Sequence, residues 1–378
     1  MRPKQKSKTI CLLPWIHSAT DALGFIRVCC VIYHPYGYLG GMSAKTTSPT
    51  ATRNHPVLKN IRATMLRGEE PKECKRCFDR ERSGLRSKRI TLFTLLNNVK
   101  SLKNLIFNNT KEDGEIDPAI FPIRYYDLRV SNQCNSRCIM CSASNSSMWG
   151  SLRTWDNNLD SKYLQGLLEN SKDIEVLHLC GGEPLIIKSY THLVKKLRDE
   201  GEHISLMYNT NLTVLRDEMF DIWKDFKQVK LLVSIDGIED IYESIRVPTK
   251  WKTIKKNLEK LESKALKNMV IPIITTVNIE NVYHLPDLLQ WLIDQKFKKV
   301  MTVPFFNILY SPSHLSLINL TESDTQKIIE KYTKFLEDHQ TVEYRNLILP
   351  FIKFMKNKDN FKVSTKKIKR RSKLLCQL

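Results

Sequence analysis

No run of about 18 uninterrupted apolar residues occurs anywhere in the 378-residue chain, so no membrane span is expected. An export leader is not expected either. Basic residues at the start are followed by the apolar run Ile10 to Ile16, but that run is short, is broken by Pro14 and lacks a clean small-residue cleavage site. These absences predict a soluble, cytoplasmic protein with no membrane partner. Internal repeats are also missing, and the only biased tract is a basic end. Acidic residues are scarce relative to bases, 40 against 60, for a formal charge of +20. The deficit is local: Lys353 to Lys373 holds ten Lys or Arg residues, and Asp359 is the one acid among them. Such a tail is either a solvated end or a contact for an anionic partner such as nucleic acid, an acidic protein or a charged surface.

With 42% hydrophobic residues, the chain has enough apolar content to bury a substantial core. Ten cysteines in a large chain without an export signal are better read as reduced, metal-ligating thiols than as a disulfide framework. Seven fall into tight groups: Cys29 with Cys30, Cys74 with Cys77, and Cys134, Cys138 and Cys141. Cys11, Cys180 and Cys376 stand apart.

Composition shifts along the chain predict four regions. Residues 1–90 form a small, cysteine-rich, β-containing module, with short apolar runs such as Phe25 to Ile32. Residues 91–122 are a connector, partly helical over Leu92 to Phe107 and then polar. Residues 123–320 alternate strands and helices. Residues 321–378 are a C-terminal helix and the basic tail. The predicted strands are Tyr125–Val130, Val176–Leu179, Ile204–Tyr208, Val229–Val233, Val270–Thr275 and Lys299–Val303, each a compact apolar run of the buried type. Helices are predicted at Ser189–Glu200 and Trp251–Lys264. Six strand–helix units joined by right-handed crossovers make a partial (β/α)6 barrel, an α/β fold. The unusual polar residues then collect at carboxyl ends of strands: Cys134 after the first, Gly181–Gly182–Glu183–Pro184 after the second, Asn209 and Asn211 at the third, Ser234 at the fourth and Asn278 after the fifth. That rim is where parallel barrels bind cofactor and substrate.

Cys134, Cys138 and Cys141 are spaced C-x3-C-x2-C in a loop after a strand. Three thiolates can hold one face of a cubane cluster and leave one iron without a protein ligand. A zinc site or reactive thiols are the alternatives, but a structural zinc normally takes four ligands and no fourth lies nearby. Glu183 is open to a plain rim salt bridge, Ser234 and Arg246 to capping or surface roles, and Cys180 to a place as a small buried apolar residue.

The cysteine spacing followed some forty residues later by Gly181–Gly182–Glu183–Pro184 resembles the radical S-adenosylmethionine (SAM) superfamily. The resemblance spans most of residues 10 to 310. It implies a TIM-like barrel of that type. Cys134, Cys138 and Cys141 would ligate a [4Fe–4S] cluster, and reductive cleavage of SAM there would yield a 5′-deoxyadenosyl radical that takes hydrogen from a substrate. It further implies that Gly181, Gly182 and Glu183 engage the methionine amino group, that Ser234 and Arg246 contact ribose and carboxylate, and that Asn209 and Asn211 match the Thr-Asn-Gly-type segment, with Leu212 beside the usual glycine position. Met140 stands where an aromatic residue is frequent. Upstream, Cys–Leu–Leu–Pro–Trp from Cys11, with Gly24 before Cys29–Cys30 and the later Cys74–Lys–Arg–Cys77, resembles a twitch or SPASM auxiliary-cluster module, here placed ahead of the barrel. Cys11, Cys29, Cys74 and Cys77 would hold a second [4Fe–4S] cluster, with Cys30 the alternative to Cys29 and a four-thiolate zinc site the competing reading. An electron donor such as flavodoxin or ferredoxin is implied. The substrate expected from such relatives is a peptide or protein, with a small metabolite, sugar or nucleic acid as the alternative. From another class comes a non-catalytic, metal-containing nucleic-acid-binding protein, which leaves the Gly-Gly-Glu-Pro turn unexplained.

Overall fold

The structure is a computed structural model that describes residues 8–32, 38–82, 84–92, 98–150, 154–155 and 159–358. The distal part of the basic tail, residues 359–378 with Cys376, lies outside them. No described helix is long and apolar enough to cross a membrane.

The fold is mixed α/β around one large sheet. In chain order its strands are β1 (His17–Thr20), β2 (Phe25–Arg27), β3 (Tyr38–Ser43), β4 (Tyr125–Leu128), β6 (Val176–Leu179), β7 (Ser205–Thr210), β8 (Gln228–Ser234), β10 (Met269–Val277) and β11 (Val300–Ile308). Two short strands outside it, β5 (Arg137–Cys138) and β9 (Arg246–Val247), pair with each other. Across the sheet the order is β11-β10-β8-β7-β6-β4-β1-β2-β3. All six strands expected from the sequence are present and parallel to their neighbours. Helices follow them in the expected alternation, and Trp251–Lys264 buries Trp251, Ile254, Leu258 and Leu261 at helical spacing. The helix expected at Ser189–Glu200 runs instead from Lys188 to Lys196 and tightens into 3-10 turns over Arg198–His203. There Gly201 packs so closely on the Asp225 carbonyl that a Cβ would lie 2.2 Å from it. The connector helix begins later than expected, at Val99, and ends at Asn109.

The boundary expected near residue 122 does not divide the sheet. β1 pairs in parallel with β4, Ala19 opposite Asp127, so the amino-terminal segment adds a seventh parallel strand and then the antiparallel pair β2 and β3. Two fully buried arginines fasten this segment to the connector. Arg62 donates to the carbonyls of Gly114 (2.6 Å), Pro14 (3.0 Å) and Arg53 (2.9 Å). Arg53 donates to Phe121 (3.0 Å) and to Trp15. Buried carbonyls need such donors, and a composition-based boundary has no access to long-range pairing of this kind.

Pairing register defines two faces. Tyr126, Tyr208 and Phe306 turn outward onto helices, with ring contacts to Tyr163 at 6.2 Å, Trp223 at 5.7 Å and Phe351 at 5.6 Å. The alternate residues face the barrel lumen. One layer there runs Ala19, Asp127, His178, Met207, Lys230 and Val270 across six neighbouring strands.

Candidate functional site

The loop after β4 carries the three central cysteines, all half-buried. Its path is set by the chain's own polar groups. The Ser147 hydroxyl accepts from the Cys134 N–H (3.1 Å) and donates to the Cys134 carbonyl (3.2 Å), Ser146 Oγ donates to the Ser136 carbonyl (2.7 Å), and Trp149 Nε1 donates to the Cys138 carbonyl (2.9 Å). The short β5–β9 ladder places Cys138 opposite Arg246, and the Arg246 guanidinium lies 3.7 Å from the Cys138 sulfur. Burial pushes the Cys138 thiol up to about 11, against the pull of that guanidinium.

The Gly181–Gly182–Glu183 turn after β6 packs directly on the cysteine loop. The N–H groups of Gly182 and Glu183 donate to the carbonyls of Ser131 (3.1 Å) and Gln133 (2.8 Å). A Cβ on Gly181 would lie 2.4 Å from the Ser131 oxygen, and one on Gly182 1.9 Å from the Gln133 oxygen. Gly181 also has φ +121°. Closeness between backbones is therefore what both glycines serve here. The carboxylate of Glu183, fully buried, accepts from Thr210 Oγ1 (2.7 Å), Asn211 N (2.6 Å) and Leu185 N (3.1 Å). Burial raises its pKa to about 7, and these hydrogen bonds together with Arg246 oppose the rise.

A pH test follows. A carboxyl whose folded pKa is raised binds its proton more tightly when folded, so raising the pH from 4.5 towards 7 removes stability, and the loss levels off above that. In protein without bound cofactor, Glu183→Gln should gain stability over the wild type by about 3 kcal/mol between pH 5 and pH 8. Parallel denaturant-unfolding profiles across that range would show that Glu183 does not titrate this way.

Asn211 joins the cluster loop through Nδ2, which donates to Asn135 Oδ1 and Ser136 Oγ, each at 3.0 Å. Leu212, at the position beside the family's glycine, takes a left-handed φ of +56°, and its N–H is held by Thr210 Oγ1. Asn209 faces elsewhere, placing Oδ1 2.8 Å from His178 Nε2 in the lumen. Ser234 ends β8 opposite Ile274. Arg246 is occupied by the buried Asp236, with Nε and Nη2 at 2.7 and 2.6 Å from one carboxylate oxygen.

The amino-terminal cysteines meet as well. Cys11, Cys29, Cys74 and Cys77 line one cleft with Lys88 and Arg89. Cys30 is outside that lining, although its thiol contacts that of Cys29. Burial pushes Cys11 up to about 12 and Cys74 well above the ordinary thiol range, so bare thiolates are costly in the cleft and a bound metal would offset that cost. Sulfur spacing bears on which metal fits. Tetrahedral zinc with bonds near 2.3 Å brings its sulfurs to about 3.8 Å from one another. Among the described residues, only Asp127, His178 and Cys180 bring three potential ligand atoms within 4.8 Å of one another. Neither cysteine group is gathered as tightly as a single zinc ion requires.

The lumen network was not foreseen. His178 Nδ1 meets Asp127 Oδ2 (3.2 Å) and the Tyr125 hydroxyl (3.3 Å), and its Nε2 lies 3.1 Å from the Cys180 sulfur. Lys88 Nζ donates to the Tyr125 hydroxyl (2.8 Å), and Arg129 pairs with Asp127 at 3.4 Å. Burial works to lower the His178 pKa, but Cys180, Tyr125 and Asp127 outweigh it and hold the ring well above its ordinary value. Cys180 is buried as expected, yet its surroundings are polar. The signal available in the sequence was polar residues at period two inside apolar runs: Tyr125, Asp127 and Arg129, then His178 and Cys180.

The family profile described as Radical SAM superfamily matches residues 128–292, which hold the cysteine loop, the Gly-Gly-Glu-Pro turn and Arg246. A curated relative, GTP 3′,8-cyclase of Clostridium perfringens (strain SM101), is 26% identical over 227 residues, covering 58% of this chain and 66% of that protein. GTP 3′,8-cyclase of Mesorhizobium japonicum is 26% identical over 186 residues, covering 47% and 53%. The match thus spans less than two thirds of these relatives' length. Among solved structures, SuiB of Streptococcus suis superposes with a TM-score of 0.42 at 14% identity, covering 75% of this chain and 63% of that one. With that profile lying over the cysteine loop and the glycine turn packed against it, the chain carries a radical SAM superfamily domain at residues 128–292 and is an enzyme whose reaction these likenesses leave unassigned.

Proposed function

We propose that the protein reductively cleaves SAM to a 5′-deoxyadenosyl radical at a [4Fe–4S] cluster on Cys134, Cys138 and Cys141, and that the radical takes hydrogen from a substrate in the lumen. The observation that carries this reading is the direct packing of the Gly181–Glu183 turn on the cysteine loop, with Arg246 against Cys138. A carboxylate offers about four acceptor positions, and three of those on Glu183 are taken, so one remains for an ammonium group. Arg246 is held by Asp236, and its role is to offset negative charge beside Cys138 and orient the loop.

Cys11, Cys29, Cys74 and Cys77 would hold an auxiliary cluster in the cleft they line, and full thiolate ligation suits electron transfer. Electrons would come from a flavodoxin- or ferredoxin-type donor. Read from the likeness of these cysteines to auxiliary-cluster modules, the substrate is a peptide or protein. The name shared by the relatives, GTP 3′,8-cyclase, supports a second reading, a small nucleotide-type metabolite.

The test is anaerobic reconstitution followed by SAM and dithionite. 5′-Deoxyadenosine should accumulate, and iron should approach about eight per chain, falling to about four when Cys11, Cys29, Cys74 and Cys77 are replaced by alanine. Absence of 5′-deoxyadenosine from iron-loaded protein overturns the activity. Iron unchanged by the fourfold replacement overturns the auxiliary site.

A further inference from the structure

The lumen holds one cation that no described residue answers. Lys230 projects inward from the middle of β8, in the layer that also contains Asp127 and His178. It is half-buried and has no hydrogen-bonding or ionic partner among the described residues. Neighbouring cations are accounted for: Arg129 by Asp127, Lys88 by the Tyr125 hydroxyl and ring, and Arg246 by Asp236. Burial and the charge of Lys88 hold the Lys230 ammonium below its usual range, as expected for a cation lacking a counter-charge. Keeping an ammonium there without a carboxylate costs stability, which an incoming anion would offset.

A second observation lies two strands away, on β11. In the register of β10 with β11, Met301 stands opposite Pro272, Phe305 opposite Ile274 and Asn307 opposite Thr276. Ile274 in turn stands opposite Ser234, which shares the inward face with Lys230. Phe305 and Met301 therefore face the lumen, and they are 50% and 40% exposed. Their neighbour Phe306 points the other way, onto Tyr332 and Phe351. An uncovered aromatic ring and thioether on the inner face of the last strand make an apolar wall awaiting a ligand. The layer of Phe305 and Ser234 lies four residues above that of Lys230, about 13 Å along the strand, and β11 stands two strand spacings, about 10 Å, to the side of β8. A compact molecule with a flat ring at one end and an anion at the other spans that interval.

We propose that the lumen binds a nucleoside phosphate, its phosphate on Lys230 and its base against Phe305 and Met301. For its place in a reaction this rests on the radical SAM reading with the second, nucleotide-type substrate in place of a peptide; its detection by binding rests on neither. Full-length reconstituted protein with SAM and without reductant would be titrated with GTP, ATP, CTP and UTP singly, and with pyrophosphate, guanosine and an acidic peptide as comparators. At least one nucleotide should bind more tightly than the peptide. Lys230→Gln should weaken it by about tenfold or more and flatten its salt dependence, and Lys230→Arg should restore most of the affinity. Phe305→Ala should weaken nucleotide and nucleoside and leave pyrophosphate unaffected. Circular dichroism and iron content identify any variant that misfolds, in which case Lys230→Arg and Phe305→Ala carry the test. Failure of every nucleotide to bind, equal affinity in the Gln and Arg variants, or tighter binding of the peptide overturns the proposal. Lack of SAM cleavage on adding reductant, with nucleotide binding intact, overturns the activity alone.

Discussion

Replacing Cys134, Cys138 and Cys141 together by alanine should lower 5′-deoxyadenosine formation by about a thousandfold or more, a loss exceeding roughly 4 kcal/mol of transition-state stabilisation. The size of the effect follows from the ligand count. The loop supplies three thiolates, and with none of them the cluster has no anchor, so no partial activity is expected from binding of SAM alone. The loop itself should survive the change, because its backbone is held by Ser146, Ser147 and Trp149 and not by the sulfurs. An unfolding midpoint close to the wild-type apoprotein, together with loss of the iron assigned to this site, would separate loss of ligation from loss of fold. Product formation persisting in the triple variant would mean that the radical arises elsewhere.

Gly182→Ala is the second substitution for which a large effect is expected, and it tests the packing, not the ligation. The added Cβ would fall 1.9 Å from the Gln133 carbonyl oxygen and 2.7 Å from the Asn132 carbonyl carbon, both backbone atoms next to Cys134. Backbone cannot swing aside as a flexible side chain can, so the turn or the cysteine loop must move by more than an ångström. Overpacking of this kind costs about 3 kcal/mol, and a displacement of that size at a reacting centre lowers rates by about a hundredfold. Iron should still be incorporated, since all three thiols remain. A variant with full iron, an unchanged unfolding midpoint and wild-type production of 5′-deoxyadenosine would show that the close approach has no functional weight.

Much of the architecture could be read from residue order. Strands buried on both faces are continuous apolar runs, and the six runs from Tyr125 onward correspond to β4, β6, β7, β8, β10 and β11. Helix Trp251–Lys264 followed from one apolar stripe. The site was legible where chemistry is written in short spacing, as in the three cysteines and the Gly-Gly-Glu-Pro turn. Asn209 shows the limit. Its position in the segment suggested a cofactor contact, but alternation along β7 turns it, like Met207, into the lumen towards His178, while Asn211, one residue past the end of the strand, reaches the cysteine loop. Asp127, His178 and Lys230 sit in different apolar runs and acquire a shared meaning only when neighbouring strands place them in one layer.

Residue order by itself determined the parallel α/β pattern, the three-thiolate loop and the glycine turn, because each is encoded by neighbours within a few positions. Tertiary structure alone decided that β1 joins the barrel sheet, that Cys11, Cys29, Cys74 and Cys77 share a cleft across more than sixty residues of chain, and that Lys230 stands in the lumen without a partner among the described residues. The physical reason is that strand pairing, buried ion pairing and the absence of a partner are properties of distances in space, which separation along the chain does not specify.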